Sequence, residues 1–297
     1  MSQSDHPLNS KEFKIILKAD KFTDIIKDKE NIINIIKSQI QKQGGIFEDT
    51  TQEDHRKVWY LDTKNFELKN NNFFLRIREK IEKNEEEKVK GYDVVFKNRD
   101  DDRHNALKYD LSNPKNNPNF NYKGIGEFKF EEDILTPFRS KFSASTKLKF
   151  EPEQKPKIET WQDILSVFPK LDLGISPTES LLLVNGVIVK EFSYELGNIK
   201  FKDENKANTE ISLWYESTEE DRDFSLSSVA PVIVEFDIKI ESKEPSTNNG
   251  TVSNEFPSSL LEETKTFYMA LQKKDIADLC AKKTKTEFVY GYKEQEQ

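Results

Sequence analysis

The chain has 297 residues, enough for one large domain or two ordinary ones. Hydrophobic residues make up 35% and charged residues 34%, yet 21 Phe, 9 Tyr and 3 Trp are too many aromatics for a disordered polyelectrolyte, so the chain has a core. The net charge of −8 argues against nonspecific binding of duplex nucleic acid, no apolar run approaches a membrane span, and a single cysteine excludes an internal disulfide and a Cys-based zinc site.

The opening MSQSDHPLNSKEF reads as a polar leader with no apolar signal stretch, and with the cysteine usage it implies a reducing, cytoplasmic setting. His6, His55 and His104 are scattered, which disfavours a histidine metal site. Lys11–Lys18 alternates, with Phe13, Ile15 and Leu17 on one parity and Glu12, Lys14 and Lys18 on the other, the pattern of a strand with one apolar and one charged face. Over 23–42, isoleucines recur near a 3.6-residue period and stop at Gly44 and Gly45, predicting an amphipathic helix with a glycine C-cap.

Strands then dominate. They are predicted at 57–62, 73–80, 91–99, 127–132, 147–150, 181–189, 191–201, 210–216 and 232–241, with a short helix at 160–168. Asp62 is expected to cap the turn that follows its strand. Residues 100–121 and 242–257 are rich in Asp, Asn, Pro and Ser, and read as loop insertions. A second amphipathic helix is predicted over 258–283 and would bury Cys280, and the run Glu85-Glu86-Glu87 reads as a solvated hairpin tip. Without a repeat or linker, the chain is read as a single domain over 11–285, flanked by polar tails at 1–10 and 286–297.

The charged parities come in short same-face sets: Glu12/Lys14/Lys18, Arg76/Arg78, Lys97/Arg99, Glu127/Lys129/Glu131 and Glu235/Asp237/Lys239. Residues at i and i+2 share a sheet face, roughly 6.5–7 Å apart. A sheet with one solvated face also gives such a pattern, but has no need for cation pairs on two strands and carboxylate pairs on others. Helices covering the aromatic parity would put the charges inside a closed barrel. Cations there would neutralise a polyphosphate, and carboxylates would hold a hard divalent ion. A lipocalin-like barrel would need the apolar parity to face inward.

The stretch Trp59-Tyr60-Leu61-Asp62-Thr63, then Leu68, then Phe74-Leu75-Arg76-Ile77-Arg78, resembles the CYTH family of triphosphate tunnel metalloenzymes. The strands that follow, ending in Glu235-Phe236-Asp237-Ile238-Lys239, occur in that family's order. The resemblance implies an α+β fold, an eight-stranded, mainly antiparallel barrel with flanking helices, that hydrolyses a triphosphate-containing substrate with Mg²⁺ or Mn²⁺. A triphosphatase is expected over an adenylyl cyclase. Carried over residue by residue, it implies catalytic and phosphate-binding roles for Arg76, Arg78 and Lys97. Lys129, Lys190, Lys18 and Lys14 are further phosphate contacts, and Glu12, Glu235 and Asp237 are metal ligands, joined by Glu127 or Glu131.

The family's opening motif E-x-E-x-K departs here. Glu12 matches the first carboxylate, Lys14 replaces the second and Ile16 replaces the lysine. A charge change of two units beside the expected ion leaves a second reading open: a binding module for polyphosphate or a nucleotide with little or no catalysis.

Overall fold

The computed structural model describes residues 6–82, 88–116, 120, 122–201, 205–221, 224, 230–242, 246–248, 251–253, 256–279 and 284–292. Cys280 and Glu85-Glu86-Glu87 lie outside the described residues.

Among the described residues, nine strands close into a barrel: β1 (Ser10–Leu17), β2 (Ile46–Asp62), β3 (Phe73–Ile81), β4 (Val89–Asp100), β5 (Lys123–Leu135), β6 (Arg139–Phe150), β7 (Leu182–Lys200), β8 (Lys206–Ser217) and β9 (Ile233–Glu241). Their order around the wall is β1-β5-β6-β4-β3-β2-β7-β8-β9, closed by pairing of β9 with β1. The expected barrel is therefore present with one strand more than predicted. It is mixed, because β1 runs parallel to β5 and antiparallel to β9. The two runs read as separate strands at 181–189 and 191–201 form the single strand β7.

Alternation decides which way each strand faces. Phe13 and Ile15 of β1, Leu75 and Ile77 of β3, Val94 and Phe96 of β4, and Phe236 and Ile238 of β9 point outward into apolar clusters. On one side these are covered by α1 (Ile25–Gln41), through Ile32, Ile36 and Ile40, and by α5 (Ser258–Gln272), through Leu260, Phe267 and Leu271. On the other side lies α4 (Trp161–Val167), whose Trp161 and Ile164 pack with Phe96 and Leu75. Each such buried side chain contributes about 1.5–3 kcal/mol, so the apolar core is a shell around the barrel. With the apolar parity outside, the lipocalin-like alternative is excluded.

Local chemistry fixes the ends of these elements. Asp24 accepts from the Lys27 N–H and caps α1, and Gly44 ends it at φ +73°, a conformation that favours glycine. Thr160 and Asp163 form a capping box on α4. At the β2–β7 crossing Gly197 is required, because a Cβ there would lie 2.2 Å from the Glu48 carbonyl oxygen. Residues 100–121 contain a short helix, α3 (Arg103–Ala106), capped by Asp102. Two short strands, β10 (Ser246–Asn248) and β11 (Thr251–Ser253), pair within 242–257.

The largest departure from the sequence reading is at the C-terminal end. Residues after 285, expected to be a polar tail, include most of α6 (Lys285–Tyr290), which meets the short helix α2 (Glu67–Asn70) where Lys69 lies over the Tyr290 ring. Thr284 and Glu287 cap α6, and Phe288, Val289 and Tyr290 are buried against β2 and β7 residues. Asp62 caps its turn as expected, accepting from the N–H groups of Thr63, Leu68 and Lys69. It also accepts from the Tyr290 hydroxyl at 2.9 Å, and Asn185 Nδ2 donates to the Val289 and Tyr290 carbonyls. Tyr290→Phe removes a buried donor to a carboxylate and is expected to cost about 1.5–3 kcal/mol. Faster amide exchange over 285–290 should accompany the loss, and unchanged exchange would show that this hydrogen bond does not hold the helix.

Candidate functional site

The inward parity lines a cavity of about 380 Å³ inside the barrel. Among the described residues, ten lysine and arginine side chains and eight carboxylates face it, a formal excess of two positive charges inside a chain of net charge −8. β3 supplies Arg76 and Arg78, β4 supplies Lys97 and Arg99, β5 supplies Glu127, Lys129, Glu131 and Asp133, and β9 supplies Glu235, Asp237 and Lys239. β1 adds Glu12 and Lys14, and α6 adds Lys285.

Of the residues expected at the site, Arg76, Arg78, Lys97, Lys129, Lys14, Glu12, Glu235 and Asp237 therefore line one cavity, as do Glu127 and Glu131. Lys18 and Lys190 do not. Lys18 lies past the end of β1 and pairs with the exposed Asp275 at 2.8 Å. Lys190 is on the opposite parity from the inward-facing Glu191, pairs with Asp221 at 2.7 Å and sits over the Phe224 ring.

Most charges in the cavity are paired internally. Lys14 Nζ lies 2.8 Å from Glu12 and 3.1 Å from Asp133, which also binds Arg99. Lys239 bridges Glu12 at 3.2 Å and Glu131 at 3.3 Å. At another part of the wall the buried Glu191 takes Arg56 at 2.7 Å, Arg78 at 3.6 Å and Lys285 at 3.6 Å, and accepts from the Trp214 indole N–H. Lys285 also reaches Glu235 at 3.1 Å. Near Lys129, Glu127 gathers Lys129, Lys147 and Lys149.

Two cations stand apart from this network. Among the described residues, Arg76 and Lys97 make no side-chain hydrogen bond or ion pair, and the buried Nε atoms of Arg76 and Arg78 have no acceptor. Burial, reinforced by the neighbouring Arg76, lowers the Arg78 guanidinium to about 10. Burial likewise pulls Lys97 down, against the attraction of Asp133 and Glu131. Both cations would be relieved by an anion in the cavity. Asp237 shows the opposite condition. Burial, then repulsion from Glu235, raises it well above the usual carboxylate range, and its Oδ1 is buried without a hydrogen-bond partner. Against its own burial, Glu12 is held down at about 2 by Lys14 and Lys239.

Arg56, Arg99, Asp133, Lys239, Glu191 and Lys285 were not singled out as site residues from the sequence. Arg99 and Lys239 belong to the same-face sets of Lys97 and Asp237 that the sequence places inside the barrel, without a role assigned to them there. Arg56 and Asp133 fall just beyond the predicted ends of their strands, and Lys285 gives no sequence signal.

Among the described residues no three carboxylates or histidines are gathered closely enough to hold a metal ion by themselves, and no helix is long and apolar enough to cross a membrane.

No protein-family profile and no curated protein sequence matches the chain. Solved structures do. The chain is similar to the Hippeastrum protein HpAC1, described as an adenylyl cyclase candidate with a dominant triphosphatase activity, at 10% identity and a TM-score of 0.43 over 96% of each chain. It is also similar to an adenylate cyclase candidate of Bacillus halodurans, at 14% identity and a TM-score of 0.34 over 88% of this chain and 92% of that one. A third similar structure is the PH1819 protein of Pyrococcus horikoshii, at 9% identity and a TM-score of 0.36 over 95% of this chain and 99% of that one.

Proposed function

We propose that the barrel binds the phosphate chain of a triphosphate-containing substrate and hydrolyses its terminal anhydride. One observation carries this reading: among the described residues, Arg76 and Lys97 project into a net-positive cavity without a hydrogen-bond acceptor or ion-pair partner. Both are half-buried, and a cation drawn partly out of water without a partner is costly, so an anion from outside supplies the counter-charge. The CYTH-like stretch around Arg76 and Arg78 supports the same assignment.

In this reading Arg76, Arg78 and Lys97 hold the phosphate chain, with Lys129 beside them. In that role they stabilise the charge that builds on the departing phosphate as water adds to the terminal phosphorus and the bridging P–O bond breaks. The products are orthophosphate and the shortened phosphate chain, with a proton released to solvent.

Mg²⁺ or Mn²⁺ fits this cavity only in part. A protein-only cage is absent from the described residues, and Glu12 is clamped by two lysines. Asp237, whose Oδ1 has no hydrogen-bond partner among the described residues, remains, with Glu235 beside it held by Lys285 at 3.1 Å, and hard ions are commonly held by one or two carboxylates plus phosphate oxygens. Bound there, the ion would neutralise phosphate charge.

The test is phosphate release from inorganic tripolyphosphate, a nucleoside triphosphate and thiamine triphosphate, with Mg²⁺ and with Mn²⁺. Metal-dependent release that falls at least about tenfold in Asp237→Ala is expected. Tight binding without release from any of them would instead establish the second reading, a phosphate-chain binding module. The internal pairing of Glu12 and Glu235 with lysines favours that alternative.

A further inference from the structure

Lys14 sits among carboxylates. Its ammonium lies 2.8 Å from Glu12 Oε2 and 3.1 Å from Asp133 Oδ1. Across the β1–β9 pair its register partner is Asp237, and Glu235 lies two residues along the same face. The ammonium has three donors and no acceptor, so it can serve only as a cation there. The parallel pairing of β1 with β5 sets Glu12 opposite Asp133, which places both carboxylates on Lys14. Without Lys14, Glu12 and Asp133, paired in register, would keep Lys239 and Arg99 as partners but lose the one ammonium that lies between them and faces Asp237. As they stand, these carboxylates are not gathered closely enough to cage an ion; with the ammonium gone from between them, they can close on a hard divalent ion.

We propose that Lys14 is a built-in counter-ion that fills the carboxylate cluster of the cavity. The protein alone then has no divalent-ion site there, and the phosphate chain binds without a metal. Lys14 thus fixes the order of assembly, with the chain received by Arg76, Arg78 and Lys97 and any divalent ion arriving on the phosphate. The phosphate part of this inference rests on the triphosphate reading above, and the metal part does not.

The experiment has two arms. In the first, Mn²⁺ alone is titrated into phosphate-free wild type and Lys14→Gln, followed by electron paramagnetic resonance. Wild type is expected to leave the free Mn²⁺ signal unchanged, while Lys14→Gln takes up about one ion per chain, at least about tenfold more tightly. Wild type binding Mn²⁺ as tightly as Lys14→Gln, or a folded Lys14→Gln that gains no site, would overturn the proposal. In the second arm, calorimetry of wild type with sodium tripolyphosphate is run in EDTA and in Mg²⁺, and needs no variant. Affinities within about threefold of each other are expected, and binding that requires Mg²⁺ would overturn the proposal. Absence of tripolyphosphate binding in both buffers would instead refute the triphosphate reading, with Lys14 still decided by the Mn²⁺ titration.

Discussion

Replacing Arg76 and Arg78 together with alanine is expected to weaken tripolyphosphate binding by about two to four orders of magnitude. A hydrogen bond to an ionised group is worth about 1.5–3 kcal/mol, so losing two corresponds to about 3–6 kcal/mol. The guanidinium fork matches phosphate oxygens in a way an ammonium cannot, so Arg76→Lys should recover only part of the loss. The same change distinguishes a binding role from a structural one. Arg76 has no internal partner among the described residues, and it helps to push the Arg78 guanidinium down to about 10. Arg76→Ala alone should therefore leave the melting temperature unchanged or raise it, while affinity falls. A lower melting temperature with unchanged affinity in calorimetry would mean that Arg76 supports the fold and not the ligand.

How far the sequence revealed this site follows from where each residue lies on its strand. Arg76, Arg78, Lys97, Glu235 and Asp237 sit in the middle of strands whose alternation is regular, so their shared face could be read directly. The error at Lys190 arises in the same region from the opposite cause. β7 runs unbroken through the point at which the sequence pattern predicts two strands, and Glu191 rather than Lys190 faces inward. β2 begins at Ile46, eleven residues before its predicted start, because EDTTQEDHRK has none of the apolar alternation that marks a strand. Register with β7, including irregularities between Asp49 and Gln52, holds that stretch in the wall and brings Arg56 to Glu191. Lys285 was out of reach altogether. Its position depends on the docking of α6 through Tyr290, Asp62 and Asn185, contacts between residues 228 and 104 positions apart.

Glu191 is the residue whose loss should most affect stability. It is buried beside Arg56, Arg78 and Lys285, and it accepts from Trp214. Burial acts against its charge, but Arg78, Lys285 and Arg56 hold the carboxyl well below its ordinary value of 4.5. Glu191→Gln keeps the shape and removes the charge, leaving three cations facing one another. Breaking a buried pair from one side costs about 3–5 kcal/mol, and urea unfolding at neutral pH should show a loss of that order. The pH dependence follows from the sign of the shift. A carboxyl depressed in the folded state contributes stability that is full above about 4.5 and is lost as the pH falls through its folded value. The gap between wild type and Glu191→Gln should therefore narrow progressively on acidification below that point, and a gap that does not change with pH would place the effect in packing. Anion binding should move the other way. Removing Glu191 frees Arg78 and Arg56 for phosphate, so Glu191→Gln should bind tripolyphosphate more tightly than wild type, and the ligand should restore part of its lost stability by mass action. A variant that is less stable and also binds tripolyphosphate more weakly would show that Glu191 positions the arginines as well as neutralising them.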